Sequence, residues 1–279
     1  MKTLESLRRS AARVRGNCIM MAFEGKSSHL SSALSCADLL TVLFGAVLRH
    51  PTEKNMKKRD RFFLSKGHAA SALYAAMAEF SLIQKEELGT YCRTDSRLSN
   101  HPCRKMFPLL EFSSGSLGYG LGMASGMLTG CQLNNDFESR AFVLLGDGET
   151  NEGSVWEAVM FAAARKLKNL IAVVDHNNMQ ATARNDDLTG NTSLAEKFSS
   201  FGWTVISCNG NDIAQLLQVF SRLDTVEKWP VAILADTTAG AGIRFMENDQ
   251  VWFYRTPREN EVFQAFENLA LPCKLGEYV

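Results

Sequence analysis

The stretch AFVLLGDGETNEG, residues 141–153, contains the pattern that decides the fold. Its five leading apolar residues, without a polar interruption, are typical of a strand buried on both faces of a parallel sheet. The glycines and acidic residues that follow are typical of a turn, and an apolar helical pattern continues near residues 155–166. A strand, a turn and a helix in this order indicate one unit of an α/β sheet.

The same alternation of short apolar runs and helical segments continues on both sides of this stretch. An apolar pattern with helical spacing begins near Leu4, and a helix of small residues begins near Gly120. We therefore predict an α/β fold in which a parallel sheet is flanked by helices on both faces. The predicted strands are residues 61–65, 141–145, 170–174, 203–207 and 231–235, and the further predicted helices are residues 37–48, 69–80, 155–166, 194–201 and 213–223.

The composition is that of an ordinary globular protein, with 46% hydrophobic and 22% charged residues in 279. Thirty Lys and Arg balance thirty Asp and Glu, so no net positive charge attracts nucleic acid or an anionic membrane. No apolar run approaches the roughly 18 residues that span a bilayer, and seven scattered cysteines indicate reduced thiols in a cytoplasmic protein. We expect one domain over residues 1–279, with a helical lead-in over about residues 1–60 and a C-terminal extension over about residues 240–279.

Two polar segments follow predicted strands whose carboxyl ends meet at one edge of the sheet. Asp147 follows the strand at residues 141–145, and Asn177 lies thirty residues later, after the strand at residues 170–174. Carboxylate and amide oxygens are ligands that Mg²⁺ accepts, with phosphate and water completing its octahedron. Gly148 lets its backbone N–H approach a phosphate at the start of the following helix. The two segments together predict a magnesium site that holds a phosphorylated ligand.

The motif G-D-G at residues 146–148, followed by N-N at residues 177–178, resembles the G-D-G…N-N motif of thiamine-diphosphate enzymes. The longer block GDGETNEG…WEA…KLKNLIAVVDHNNMQ is similar to the diphosphate-binding half of transketolases, and the resemblance covers nearly the whole chain. It implies a thiamine-diphosphate-binding fold. It also implies that Asp147, Asn177 and the backbone carbonyl of Met179 ligate Mg²⁺, or Ca²⁺ or Mn²⁺ in its place.

The resemblance also implies which residues surround the cofactor. The loop SGSLGYG at residues 114–120 resembles the G-P-L-G-Q-G loop of transketolases, whose backbone meets the aminopyrimidine of the cofactor. Glu152 matches an acidic residue that helps to connect paired active sites at the subunit interface, and we include it among the catalytic residues. The residues implied to bind the cofactor are His68, Gly115, Leu117, Gly146, Gly148 and Asn177.

Three of the five histidines lie among small polar residues, where an imidazole can exchange hydrogen bonds with sugar hydroxyls. They fall where transketolases carry active-site histidines, so the resemblance implies that all three are catalytic. His29 and His101 would contact the ketose hydroxyls and the developing oxyanion, and His68 would lie near the diphosphate. Arg93 resembles a phosphate-binding arginine but lies one residue closer to His101 than in the family, and we include it among the substrate ligands.

One segment departs from the family pattern. In the small transketolase subunits that it resembles, lysines occupy the places of Ala239 and Ala241. A histidine that reaches the diphosphate and the donor substrate occupies the place of Phe253. Because a phenyl ring cannot donate a hydrogen bond, two explanations follow. Either Arg255 or a partner chain supplies the contact, or the donor or acceptor is not the usual sugar phosphate.

The resemblance implies transfer of a two-carbon ketol unit from a ketose to an aldehyde, with thiamine diphosphate as the electron sink. In the family, a glutamate of a downstream pyrimidine-binding domain activates the cofactor. A chain that ends at Val279 has no room for that domain after the predicted sheet. We therefore expect the N-terminal subunit of a split transketolase, inactive alone. It would assemble as α₂β₂ with a C-terminal transketolase-like subunit, which carries the pyrimidine-binding and C-terminal domains, and would act on sugars or sugar phosphates.

Three alternatives remain open. One component of a 2-oxo-acid dehydrogenase or decarboxylase would share the G-D-G…N-N motif, although S-K-G-H-A at residues 65–69 favours a transketolase. A transketolase-like enzyme of specialised metabolism would use an unusual donor or acceptor, which the change at Phe253 favours. A non-catalytic scaffold would only assemble with a partner or regulate it, and the intact Asp147, Asn177 and three histidines argue against this.

Overall fold

The computed structural model describes residues 2–50, 59–190, 192–227 and 229–279. At its centre is a five-stranded sheet, and each neighbouring pair of strands is parallel. The five strands, in chain order, are β1 (Arg61–Leu64), β2 (Ala141–Gly146), β3 (Leu170–His176), β4 (Thr204–Asn209) and β5 (Val231–Asp236). Their order across the sheet is β1-β2-β3-β5-β4.

Helices cover both faces of this sheet. The α-helices of the described residues are α1 (Leu4–Glu24), α2 (Leu30–Ser35), α3 (Ala37–Val42), α4 (Ala70–Glu79), α5 (Gly120–Leu133), α6 (Gly153–Ala164), α7 (Asn185–Thr189), α8 (Leu194–Ser200), α9 (Ile213–Ser221) and α10 (Glu259–Asn268). Short 3₁₀ turns follow β1 at Gly67–Ala69 and β2 at Gly148–Asn151.

The apolar run of β2 shows why the strands are uninterrupted by polar residues. Phe142 and Leu144 pack into one core with α1, α3, α4 and α9. Val143 and Leu145, which point to the opposite face, pack into a second core with α5, α6 and α8. Because successive side chains of a strand point to opposite faces, both sets must be apolar here. This confirms the predicted parallel sheet with helices on both faces.

The register of the sheet brings the carboxyl ends of three strands together. Gly146 of β2 pairs with Asp175 of β3, and Leu64 at the end of β1 pairs with Leu144 of β2. The segments that follow these strands therefore begin at one edge of the sheet. In open α/β sheets, ligands bind outside this edge.

The predicted elements differ from the observed ones in two respects. Each predicted strand is observed, with ends that differ by at most two residues from those predicted. The predicted helix at residues 37–48, however, is α-helical only over Ala37–Val42 and continues as a π-helical turn over Leu43–Val47. The short helices α2 and α7 and the terminal helix α10 were not predicted. Two of these three are too short for a periodic apolar pattern to develop.

No helix of the described ranges is both long enough and apolar enough to cross a membrane. All seven cysteines lie within those ranges and are free thiols, three of them buried.

Candidate active site

A cavity of about 250 Å³ opens at the carboxyl ends of β1, β2 and β3. We call it the site cavity. It brings together residues that are up to 224 positions apart in the chain, because several loops converge on this edge of the sheet. Its lining residues are His29, Ser32, Lys66, His68, His101, Gly115, Leu117, Gly146, Asp147, Gly148, Glu149, Asn177, Met179, Gln180, Ala181 and Phe253.

Asp147 lies at the first turn after β2 and is almost fully buried. One carboxylate oxygen accepts a hydrogen bond from the backbone N–H of Gly148 at 2.8 Å, and the other from Asn178 at 2.6 Å. The pKa of the Asp147 carboxyl is raised to about 6, mainly because the group is buried and to a smaller extent because the negative charge of Asp175 is nearby. The carboxylate is therefore held rigidly in a place where its negative charge is under-compensated, and a bound cation would relieve this.

Asn177 places a second oxygen ligand beside Asp147. Its side-chain amide nitrogen donates to the carboxylate of Asp175 at 3.2 Å, and its amide oxygen accepts from the N–H of Met179 at 2.9 Å. Within the described ranges, no group of three or more His, Cys, Asp or Glu side chains could hold a metal by itself. One carboxylate with neutral oxygens and a ligand phosphate is, however, a set that suits Mg²⁺. The donor chemistry of this site therefore fits the implied metal.

Three histidines form one side of the cavity. The ring centroids of His29 and His68 lie 5.8 Å apart, as do those of His29 and His101. His29 adopts a left-handed backbone conformation (φ 68°), and its N–H donates to the carbonyl of Phe253 at 3.0 Å. Burial lowers the pKa of all three imidazoles, and that of His68 lies well below its ordinary value. Neutral imidazoles can both donate and accept hydrogen bonds.

These lowered pKa values predict a stability that falls with acidification. In the unfolded chain an imidazole titrates near pH 6.5, whereas in the fold the pKa of His68 is well below that. As the pH falls below about 6.5, the unfolded state binds more protons, so the free energy of unfolding decreases. The raised pKa of Asp147 acts in the opposite direction, because there the folded state binds the proton. A His68→Gln variant retains Asp147 and isolates the histidine contribution.

We expect His68→Gln to lose less stability than the wild type when the pH is lowered from 7.0 to 5.5. Urea denaturation followed by circular dichroism at both pH values measures the difference. Parallel losses in the two proteins would show that His68 does not titrate differently in the folded and unfolded states.

Two residues with roles implied by the resemblance lie outside the cavity lining. The Arg93 side chain is 56% exposed and pairs with Glu24 at 3.3 Å. Glu152 is exposed at the start of α6, beside Gly118. The position of Glu152 on an open surface is compatible with a contact to another polypeptide chain. The roles of both residues stay predictions.

Lys66, Asp175 and Glu149 contribute to the site but were not predicted. Lys66 and Asp175 form a fully buried ion pair below the cavity. The Glu149 carboxylate accepts hydrogen bonds from the backbone N–H groups of Gly118 at 2.8 Å and Gly146 at 3.2 Å. It thereby connects the loop at residues 114–120 to β2. Two of the three had a signal in the sequence, because Asp175 ends the apolar run LIAVV and Lys66 closely follows the apolar run of β1, whereas Glu149 lies within a polar turn. Such residues are almost never fully buried unless they are paired.

Part of the cavity lining is apolar, at Met179 and Phe253. Phe253 is buried and packs with Met179 and Ala239 in a small cluster separate from the two main cores. Arg255 does not take the place of the missing histidine in the cavity. Its guanidinium lies 4.0 Å from the ring centroid of Trp252 and pairs with Glu261 at 2.5 Å. The position of Arg255 therefore does not support the explanation that this residue supplies the contact made by the family histidine.

The comparison with known families agrees with this arrangement. The model described as "Transketolase, thiamine diphosphate binding domain" matches residues 8–269. The chain belongs to the transketolase family. This membership confirms the predicted family, the thiamine-diphosphate-binding fold and the enzyme class, that of the transferases. A 2-oxo-acid dehydrogenase or decarboxylase component is accordingly not favoured.

Relatives within the transketolase family differ in how much of their length this chain covers. A protein of Phocaeicola vulgatus, described as one subunit of an apulose-4-phosphate transketolase, is 31% identical over 268 residues, which are 96% of this chain and 95% of that protein. The protein of the same description in Actinobacillus succinogenes is 34% identical over 267 residues, 95% of this chain and 96% of that protein. Human transketolase is 33% identical over 267 residues, but these are only 42% of its length.

Solved transketolase structures have the same fold. The transketolase of Campylobacter jejuni superposes with a TM-score of 0.90 at 25% identity, over 100% of this chain and 45% of that one. The transketolase of Leishmania mexicana gives 0.89 at 23% identity, over 99% and 43%. The chain thus spans less than half the length of these transketolases and nearly the full length of the two apulose-4-phosphate transketolase subunits. The description of those two proteins as subunits implies that each of them has a partner.

Proposed function

We propose that this chain is the thiamine-diphosphate-binding subunit of a two-subunit transketolase. In this proposal, residues 1–279 form one domain and the assembly transfers a two-carbon ketol unit from a ketose to an aldehyde in the cytoplasm. The observation that carries the proposal is the convergence of Asp147, Asn177 and the three histidines on one cavity at the carboxyl edge of the sheet. The match to a transketolase model over residues 8–269 supports the same reaction class.

The carboxylate of Asp147, the amide oxygen of Asn177 and the carbonyl of Met179 would hold Mg²⁺. The backbone of Gly146 and Gly148 would approach the diphosphate, since both residues line the cavity and carry no side chain to block it. Thiamine diphosphate, when bound, supplies the nucleophilic carbon and the electron sink of the reaction.

The loop that carries Gly115 and Leu117, and the side chain of His68, would complete the cofactor pocket, because all three line the same cavity. His29 and His101 would hold the hydroxyl groups of the ketose and of the acceptor. The Nδ1 atom of His29 is buried and has no hydrogen-bond partner among the described residues, so this imidazole has hydrogen-bonding capacity that the described chain leaves unused. Because burial keeps both imidazoles neutral, each can accept a hydroxyl proton and return it during carbon–carbon bond cleavage and formation.

The descriptions of the two apulose-4-phosphate transketolase relatives favour a phosphorylated sugar as substrate. Lys66 is the only cationic side chain that lines the cavity within the described ranges, and Asp175 neutralises it. Contacts to a substrate phosphate would therefore come from outside this lining, either from Arg93 or from the partner. An unusual donor or acceptor remains a second candidate, because Phe253, which lines the cavity, offers no hydrogen-bonding side chain.

The partner would supply the pyrimidine-binding and C-terminal domains in an α₂β₂ assembly. Exposed apolar side chains on α5 and α6 support a contact on this side, including Met123 (54% exposed) and Met160 (57% exposed). Glu152 lies at the start of α6 next to this surface and would connect paired active sites.

Co-expression of this chain with the candidate partner tests the proposal. We expect the two to co-purify and to transfer ketol units only when both chains, thiamine diphosphate and Mg²⁺ are present. Assays with phosphorylated and non-phosphorylated ketoses would separate the two substrate classes. Ketol transfer by the purified chain alone would contradict the partner requirement. Pyruvate turnover with a dye acceptor, without ketol transfer, would contradict the reaction class.

A further inference from the structure

Lys66 is a buried cation in the floor of the site cavity. Its side chain is 1% exposed, and its ammonium group pairs closely with the carboxylate of Asp175, which is fully buried. The ammonium group also donates to the carbonyl of Ser32 at 3.3 Å. A lysine is rarely buried to this extent, because desolvation of the charge is costly unless a partner compensates it.

Asp175 is the centre of a hydrogen-bonded group that we call the Asp175 cluster, formed with Lys66, Ser35, Thr237 and Asn177. One carboxylate oxygen accepts from Lys66, from the hydroxyl of Ser35 at 2.5 Å and from the amide nitrogen of Asn177 at 3.2 Å. The other oxygen accepts a close hydrogen bond from the hydroxyl of Thr237. Every partner donates, so the cluster uses both oxygens of Asp175 as acceptors.

The cluster determines which way the amide of Asn177 faces. Its NH₂ group lies against two acceptors, the Asp175 carboxylate and the Ser35 hydroxyl oxygen at 3.3 Å. The amide oxygen must then lie on the opposite side, where it faces the N–H of Met179. The orientation of Asn177 therefore depends on where the Asp175 carboxylate is held.

Lys66 is the strongest of the groups that hold this carboxylate in place. All four hydrogen bonds end on a charged carboxylate and are strengthened by it, but Lys66 is the only cation among the four partners, so its bond alone adds the attraction between two opposite full charges. Its second contact, to the carbonyl of Ser32, fixes the ammonium group to α2. Loss of Lys66 would leave the carboxylate with neutral donors only, and the acceptor of the Asn177 NH₂ group would no longer be anchored.

We propose that Lys66 is a positioning residue for the cation site: by anchoring the Asp175 carboxylate, it holds the Asn177 amide with its oxygen available to the metal. The inference rests on the proposed function, because it assumes that Asp147 and Asn177 bind a divalent cation. Lys66 itself makes no contact with that cation in this scheme.

Charge and orientation predict opposite effects for Lys66→Met. If Lys66 acted only as a nearby positive charge, its removal would strengthen the binding of a cation. If it orients Asn177, its removal weakens binding by about 10- to 100-fold, as for other groups that support metal ligands. Lys66→Arg retains the charge and should restore most of the affinity.

The test is a Mn²⁺ titration of the full chain, together with its partner where the two co-purify. Free Mn²⁺ is measured by electron paramagnetic resonance, at a thiamine diphosphate concentration that saturates each variant. Arg15→Met is the matched control, because Arg15 forms a comparably buried ion pair with Asp38, and neither lines the cavity. It should lose stability while its Mn²⁺ affinity stays within about twofold of the wild type, a change that corresponds to about 0.4 kcal/mol.

If Lys66→Met does not fold, the double variant Lys66→Met/Asp175→Asn removes both charges and should fold. It should still bind Mn²⁺ at least about tenfold more weakly than the wild type, because an amide at position 175 replaces the anchored carboxylate. Unchanged or tighter Mn²⁺ binding in the variant that folds would overturn the positioning role of Lys66. Absence of Mn²⁺ binding by the wild type would instead overturn the cation site of the proposed function, and the inference with it.

Discussion

Replacing Asp147 by Asn should abolish ketol transfer and lower the affinity for Mg²⁺ by more than about 100-fold. Among the described residues, two carboxylates line the cavity, Asp147 and Glu149. The oxygens of Glu149 already accept hydrogen bonds from the backbone N–H groups of Gly118 and Gly146, so Asp147 is the carboxylate left for a cation. An amide at position 147 removes the charge on which binding of a divalent cation depends. Isothermal titration with Mg²⁺ and thiamine diphosphate measures the loss of binding.

The same substitution should change the stability of the free chain only slightly, because two effects oppose each other. Burial raises the pKa of Asp147 to about 6, so the ionised form is disfavoured in the fold at pH 7 and a neutral amide removes that cost. The amide NH₂ group, however, cannot accept one of the two backbone N–H bonds that the carboxylate accepts. Asp187→Asn, on the exposed surface of α7, is the control and should change neither property. Wild-type Mg²⁺ affinity in Asp147→Asn would show that the metal binds elsewhere.

Replacing Arg15 by Met should lower the free energy of unfolding by about 3–5 kcal/mol, the usual cost of leaving one member of a buried ion pair without its partner. Arg15 lies on the buried face of α1 and pairs with Asp38 through two hydrogen bonds, at 3.0 and 2.5 Å. Both side chains are less than a tenth exposed. Urea denaturation at pH 7 measures the change.

Two variants separate the ion pair from a general effect of losing arginine. Arg15→Met/Asp38→Leu removes both charges and should recover most of the lost stability. Arg9→Met removes an arginine of the same helix whose pair with Glu5 is exposed, and should cost less than about 0.5 kcal/mol. If Arg15→Met lowered the free energy of unfolding by less than about 1 kcal/mol, another group would have to stabilise the buried charge of Asp38. The amide nitrogen of Asn211, which donates to this carboxylate at 3.0 Å, is the available donor.

Arg15 also connects α1 to the loop that follows β5. Its Nε atom donates to the carbonyl of Ala241 at 2.8 Å. In the same loop, the N–H of Gly240 donates to the carbonyl of Ser31 in α2 at 2.8 Å. This loop is therefore held by two helices that are distant from it in the chain.

Much of the fold was predictable because its signals are local. The run AFVLL at residues 141–145 has no polar position, and so short a run before a glycine turn is typical of a strand covered on both faces. The helix α2 was missed because six residues are too few for a periodic pattern. The helix α10 was not predicted within the C-terminal extension, although its buried residues Val262, Ala265 and Phe266 have helical spacing.

The sequence by itself determined the parallel α/β sheet, because the apolar runs of its strands are local patterns. It also determined Asp147, Asn177 and the three histidines as candidate site residues, because each belongs to a short motif or to a family resemblance. Only the tertiary structure decided which of these residues share a cavity, that Arg93 and Arg255 lie outside it, and that Lys66 is paired with Asp175 beneath it. The reason is physical. Parallel strands are joined by long crossovers, so the groups that meet at the carboxyl edge are distant in the chain. Their distances, burial and charge compensation depend on packing that no local pattern encodes.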